Sequence, residues 1–150
     1  MNKRGTNMNL SKCMKNNNFK TCEDRLICDG IPKYHEKVII NHKFKNINQY
    51  VNECRTNYHI ANKTKQEETT LAALEFAKIP KVEKYPISLT FKWHMKNKIS
   101  DLDGRLAKNI IDGLVRSKRI VDDNVKYIQR IVHEYISDDK DYVEVVINEL

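Results

Sequence analysis

Asp101, Asp103, Asp112, Asp122 and Asp123 fall within 23 consecutive residues, "DLDGRLAKNIIDGLVRSKRIVDD", of a 150-residue chain whose formal net charge is +7. Four of the five have an ordinary use: Asp103 can cap a helix, Asp112 can pair with Lys108 four residues earlier, and Asp122 with Asp123 can make a turn. Their joint arrangement asks for more. Asp101 and Asp103 are two apart at the end of an extended segment, so both carboxylates project to one side. They repel unless separated, solvated or bridged by a cation. A calcium loop is excluded: counted from Asp101, Arg105 falls at the fifth position and Leu106 at the sixth, where an EF-hand requires an oxygen ligand and glycine. What remains is a hard-cation site for phosphate chemistry, in which magnesium takes one or two carboxylates, keeps waters and completes its shell with substrate phosphate oxygens.

The rest of the composition suits such a substrate. The chain is 31% charged and 40% apolar, a globular balance, and its length allows one domain with its own core. Residues 101–150 carry 11 acids against 8 bases, net −3, and residues 1–100 carry 9 against 19, net +10. A basic surface with an acidic spot set into it points to a polyanionic partner, either nucleic acid or an acidic membrane surface. No stretch approaches the ~20 apolar residues of a membrane span, and the N-terminus lacks the apolar core of a signal peptide, so a cytoplasmic protein is expected. Cys13, Cys22, Cys28 and Cys54 contain no C-x-x-C pair and are read as free thiols. A zinc site from Cys13, Cys22, Cys28 and His35 would need gaps that match no common zinc spacing.

The elements that must position the aspartates follow from pattern. Residues 1–36 are Asn- and Lys-rich, hold the turn signal "DGIP" and read as a tail or accessory segment, leaving 37–150 as the folded domain. "EKVIINHKF" (36–44) reads as a strand. Asn46 or Asn48 then caps a long helix with apolar positions Tyr50, Val51, Cys54, Tyr58, Ala61, Leu71, Leu74 and Ala77, ended by Pro80 and open to a break within the polar "ANKTKQEETT". "PISLTFKWHM" alternates, with Ile87, Leu89, Phe91, Trp93 and Met95 on one face, which predicts a half-buried strand. A helix is expected over 103–116, capped by Asp103, with Leu106, Ala107, Ile110, Ile111, Leu114 and Val115 as its stripe and Arg105, Lys108, Asn109 and Asp112 opposite. "VKYIQRIVHEYI" and "DYVEVVINEL", joined by "SDDKD", read as a closing hairpin. The order strand, long helix, strand, helix, two strands predicts an α/β (α+β) single domain, a mixed β-sheet with helices against one face.

At this point the residues carry a resemblance. "DLDGRLAKNIIDGLV", followed by "DD", resembles the RusA family of Holliday junction resolvases, whose pattern is D-x-D-N, a lysine before D-[AG]-L, and a later acidic turn. "INQYVNECRTNYHIANKTKQEETTLAALEFAK", "LTFKWHMKNK" and "VEVVINEL" are similar to the phage-borne branch, and the resemblance covers about residues 37 to 150. Two positions depart from the pattern: Gly104 stands in place of the asparagine, and Lys108 follows Asp103 by five residues instead of the commonest four. The resemblance implies a RusA-like fold, Asp101, Asp103 and Asp123 as catalytic metal ligands, Lys108 as the catalytic lysine, and Asp122 as a neighbour. It also implies Mg2+ as cofactor, with Mn2+ able to substitute, and a bacterial or phage-encoded protein of DNA recombination and repair.

Magnesium on three carboxylates lowers the pKa of a bound water and neutralises charge growing on a scissile phosphate. Because a four-way junction must be cut in two strands symmetrically, one site per chain implies a homodimer on branched DNA. Lys43, Lys45, Arg55, Lys63, Lys65, Lys92, Lys96, Lys98, Arg105 and Arg130 are the candidates for backbone-phosphate contact, although a solvated surface charge is the commoner role of any one of them. Tyr50, Tyr58, Trp93 and His94 are more often core or interface residues than stacking platforms. Two other functions fit the same residues: a protein that grips branched DNA without cutting, and a magnesium-dependent nuclease for flaps or forks.

Overall fold

The computed structural model describes residues 33–99 and 101–150. Alternation makes the central strand, β2 (Ile87–Met95): Ile87, Leu89, Phe91, Trp93 and Met95 are all buried on one side. It pairs on one edge with β3 (Ile128–Ser137), in parallel, and on the other with β4 (Tyr142–Glu149), antiparallel. β4 in turn pairs antiparallel with β1 (His35–Ile40), giving the order β1-β4-β2-β3. The fold is thus a single α+β domain built on a mixed four-stranded sheet, as the pattern predicts. β1 begins at His35, two residues before the expected domain start, and Tyr34 already packs on the core. Among the described residues no helix is long and apolar enough to cross a membrane.

The last two strands do not form the expected hairpin. Both carry hairpin-like composition, yet β2 lies between them, and the 138–141 connection crosses the end of β2, where Asp138 N–H donates to Met95 O (3.3 Å) and Lys96 N–H to Asp141 Oδ1 (3.2 Å). β4 has apolar residues on both faces, Val143, Val145 and Ile147 on one and Val146 on the other, all buried. Such a strand gains more in the interior of a sheet than at an edge.

The expected long helix is two. Asn46 caps α1 (Ile47–Thr56) in a capping box with Gln49, one of the two caps the sequence offers. The break comes at Asn57, ahead of "ANKTKQEETT". Its backbone is extended (φ −156°, ψ 102°), its N–H closes α1 on Glu53 O, and its side chain accepts from His59 N–H to open α2 (Tyr58–Phe76). One asparagine serves both ends, which asparagine's local hydrogen bonding favours. The expected apolar stripe is also displaced: Val51, Tyr58, Leu74 and Ala77 are exposed, and α2 buries Ala61, Glu68, Thr69, Ala72 and Phe76.

That choice of face follows from α3 (Lys108–Arg116). Gly113 brings α3 against α2 so closely that a Cβ there would stand 2.6 Å from Ala72 Cβ and 2.9 Å from Thr69 O. At this contact Asn109, expected on the open side of α3, is buried and donates to Glu68 Oε2 (2.6 Å), while Glu68 Oε1 accepts Lys45 N–H (3.2 Å). A polar pair satisfied in this way is tolerated in a core where an unpaired one is not. Gly113→Ala should lower stability by about 1–3 kcal/mol through overpacking, despite alanine's better helix propensity. Urea unfolding checks this, and an unchanged midpoint would contradict the close approach.

Candidate active site

α3 starts later than its pattern predicts. Asp103 is not its N-cap; the helix opens at Lys108 after Ala107, and 101–105 form a turn instead. The turn wins because the neighbouring elements hold its backbone: Ile47 N–H donates to Gly104 O (2.8 Å), and Arg105 bridges to Asn46. Leu102 packs against the core, and the residues on either side of it, Asp101 and Asp103, are exposed. One half-buried apolar residue between two carboxylates therefore presents both to solvent. Among the described residues neither Asp101 nor Asp103 belongs to an ion pair.

Lys108, the first residue of α3, reaches two other aspartates. Its Nζ lies 2.8 Å from Asp112 Oδ1, one turn on, and also donates to Asp123 Oδ2. The hydrogen bonds that Lys108 donates to Asp112 and Asp123 raise its ammonium above the ordinary lysine value against the pull of burial. The hydrogen bond from Lys108 holds Asp123 below the usual carboxylate range, outweighing its partial burial. The two directions agree, so Lys108 is charged and Asp123 ionised at neutral pH. Because the folded Asp123 carboxyl lies below its unfolded value, its contribution to stability is complete above the unfolded value and is lost as pH falls through the folded one. In Lys108→Met the Asp123 carboxyl, followed by 13C NMR titration, should move up toward the ordinary range. An unmoved Asp123 would show that Lys108 is not its partner.

Asp122, the adjacent residue, is used differently. Its Oδ1 accepts Asp123 N–H (2.8 Å) and its Oδ2 accepts Asn124 Nδ2 (2.6 Å), so it fixes the turn while Asp123 faces Lys108. Lys65, Thr69, Lys108, Asp112, Arg116 and Asp123 line an open groove of about 440 Å³. Lys65 stands 3.7 Å from Asp112 Oδ2, and Arg116 Nη1 donates to Thr70 Oγ1 (3.1 Å). Arg116 was absent from the basic candidates, yet its spacing shows it: residues 108, 112 and 116 are successive turns of one helical face.

The other basic candidates are distributed more widely. Lys43 pairs with Asp141 (3.3 Å), Lys45 with Glu53, Lys63 with Glu67 (3.9 Å), and Lys92 with Glu144 (3.3 Å) on the sheet face away from the helices. Arg55, Lys96, Lys98 and Arg130 are exposed. Arg105, expected beside Lys108 on the helix, precedes the helix and lines a different, smaller pocket with His94, Asp141 and Tyr142. Trp93 is a core residue, 3% exposed, and His94 is buried with its Nδ1 2.9 Å from Asp138 Oδ2. Tyr50 is half-buried and Tyr58 exposed. Of the cysteines, Cys54 is a free thiol, and Cys13, Cys22 and Cys28 lie outside the described residues.

Four of the five aspartates thus fall into two groups, the exposed Asp101–Asp103 turn and the Lys108-bound pair Asp112 and Asp123, while Asp122 fixes its own turn. Among the described residues no three His, Cys, Asp or Glu side chains converge as a ready-made metal cluster. The donor chemistry nonetheless fits a hard cation, since two exposed carboxylates two residues apart are the number magnesium commonly takes from a protein. No protein-family model matches the chain, and no curated protein matches it.

Proposed function

We propose that this protein is a magnesium-dependent, structure-specific endodeoxyribonuclease that resolves four-way DNA junctions by paired, symmetric nicks, as the RusA family does. The reading rests on one observation: Lys108 is held between Asp112 and Asp123 at the N-terminus of the helix that directly follows the exposed Asp101–Asp103 turn. Asp101 and Asp103, with Asp123 as the third carboxylate, would hold the cation. When bound, magnesium supplies an activated water and charge neutralisation at the scissile phosphate.

The chain's own residues do the rest. Asp101 and Asp103 stand on a turn anchored through Gly104 and Arg105, so the backbone that carries them is placed before substrate arrives. Lys108 has Asp112 as its orienting partner one turn on and would direct its ammonium at a substrate phosphate. Lys65 and Arg116 add positive charge to the same groove and offset the aspartates that a polyanion must approach. Asp122 holds the turn that presents Asp123. The protein acts as a homodimer in the cytoplasm of a bacterial host, in recombination and repair.

The test is incubation of purified protein with a labelled four-way junction and a matched linear duplex, with magnesium and with chelator. Cleavage of the junction alone, in magnesium alone, with two nicks related by symmetry, is the expected result. Binding without cleavage in both conditions would leave a branched-DNA-binding protein, and equal cutting of flaps and forks would widen the substrate class. No preference for branched over linear DNA would overturn the reading.

A further inference from the structure

β3 is an edge strand, ten residues long, and among the described strands it pairs only with β2. A long open edge is an association site unless something blocks it. Its register against β2 sorts its side chains. Ile131, His133 and Tyr135 stand opposite Leu89, Phe91 and Trp93, on the side of the core. Arg130, Val132, Glu134 and Ile136 stand opposite Ser88, Thr90, Lys92 and His94, on the face away from the helices.

Two features of this strand are unsatisfied among the described residues. On the core side His133 is held, stacked on Phe91 (5.4 Å) and accepting Trp93 Nε1 at 2.9 Å, but Ile131 and Tyr135 beside it remain 48% and 38% exposed. On the other face Arg130 and Glu134 are exposed and belong to no ion pair among the described residues. Lys92, directly opposite Glu134, turns instead to Glu144. Arg130 and Glu134 cannot reach each other, because four residues along a strand separate them by about 13 Å.

One partner answers both. We propose that β3 pairs antiparallel with the β3 of a second copy of this chain, about a two-fold axis through Val132, joining two four-stranded sheets into one of eight. Residues directly opposite in an antiparallel pair point to the same side, so a two-fold axis normal to the sheet allows only registers centred on a residue. Centring on Arg130 or Glu134 sets like charges face to face, and centring on Ile131 or His133 sets each charge opposite an apolar residue. Centring on Val132 sets Arg130 of each chain opposite Glu134 of the partner subunit, and places Ile131 opposite His133 of the partner subunit on the core side. The same register covers the exposed Ile131 and Tyr135. The use of this interface for two symmetric cuts rests on the nuclease reading; the pairing itself does not.

Sedimentation of the full chain without DNA tests it. The wild type should be a dimer. Glu134→Arg and Arg130→Glu should each weaken association about 10–100-fold by setting like charges across the interface. A one-to-one mixture of the two single variants should recover dimers, because every 130–134 contact is then between opposite charges, and the double variant Arg130→Glu/Glu134→Arg should recover them alone. Both residues are exposed, so circular dichroism should stay unchanged. A monomeric wild type, a dimer indifferent to the single variants, or monomers in the mixture would overturn the pairing. The first of these outcomes leaves the edge to a strand of another protein. A monomer that still cuts junctions sinks the interface alone, and a dimer with this charge pattern that never cuts DNA sinks the nuclease reading alone.

Discussion

Asp101→Asn, Asp103→Asn and Asp123→Asn are each expected to lower magnesium-dependent cleavage of a four-way junction by about 10²–10³-fold or more, while junction binding stays intact or tightens. Each change removes an oxygen donor and one negative charge from a surface that must approach phosphates. The three should differ in side effects. Asp101 and Asp103 are exposed on a turn whose hydrogen bonds run through backbone, so their variants should unfold at the wild-type midpoint. Asp123→Asn also loosens Lys108, which then has only Asp112 as a full ionic partner. Asp122→Asn is the control: the amide keeps one oxygen for Asp123 N–H, and the turn survives with cleavage reduced several-fold at most. Single-turnover assays with thermal melts on all four variants check the pattern. A dead Asp122 variant beside an active Asp123 variant would move the third ligand by one residue.

Local spacing carries the contacts within one element better than the path of the chain. The Lys108–Asp112 pair follows from helical periodicity alone, while the meeting of Lys108 with Asp123, 15 residues on, does not. The central strand was equally legible, since alternation over nine residues admits one reading. What was not legible depends on distant neighbours. Asp103 is a good local N-cap, but the backbone bonds from Ile47 and Asn46 hold residues 104 and 105 in a turn, and no local rule includes α1. Asn109 and Glu68 look like surface residues until each is seen as the other's partner, 41 positions apart. The mistaken hairpin has the same origin: β3 and β4 are close in sequence and β-rich, and only the insertion of β2 between them makes β3 an edge among the described strands.

Lys108→Ala should lose about 10²–10³-fold in single-turnover cleavage and retain junction affinity in chelator, where the cation plays no part. The alternative is that Lys108 is a surface residue whose ion pairs with Asp112 and Asp123 contribute only ~0.3 to 0.5 kcal/mol each, in which case the variant would be nearly silent. The proposed role calls for the larger effect: an ammonium shared by two carboxylates at a helix start, in a groove with Lys65 and Arg116, is oriented before any substrate binds. Lys108→Arg should rescue poorly, since a planar fork does not replace a compact point charge between two carboxylates. Arg105 is the comparison that decides between neighbouring cations. Its side chain lines another pocket, where burial works against its charge and Asp141 offsets it, so Arg105→Ala should perturb stability more than the chemical step. An active Lys108→Ala beside an inactive, folded Arg105→Ala would transfer the role to Arg105 and place the scissile phosphate behind the Asp101–Asp103 turn, away from the groove of Asp112 and Asp123.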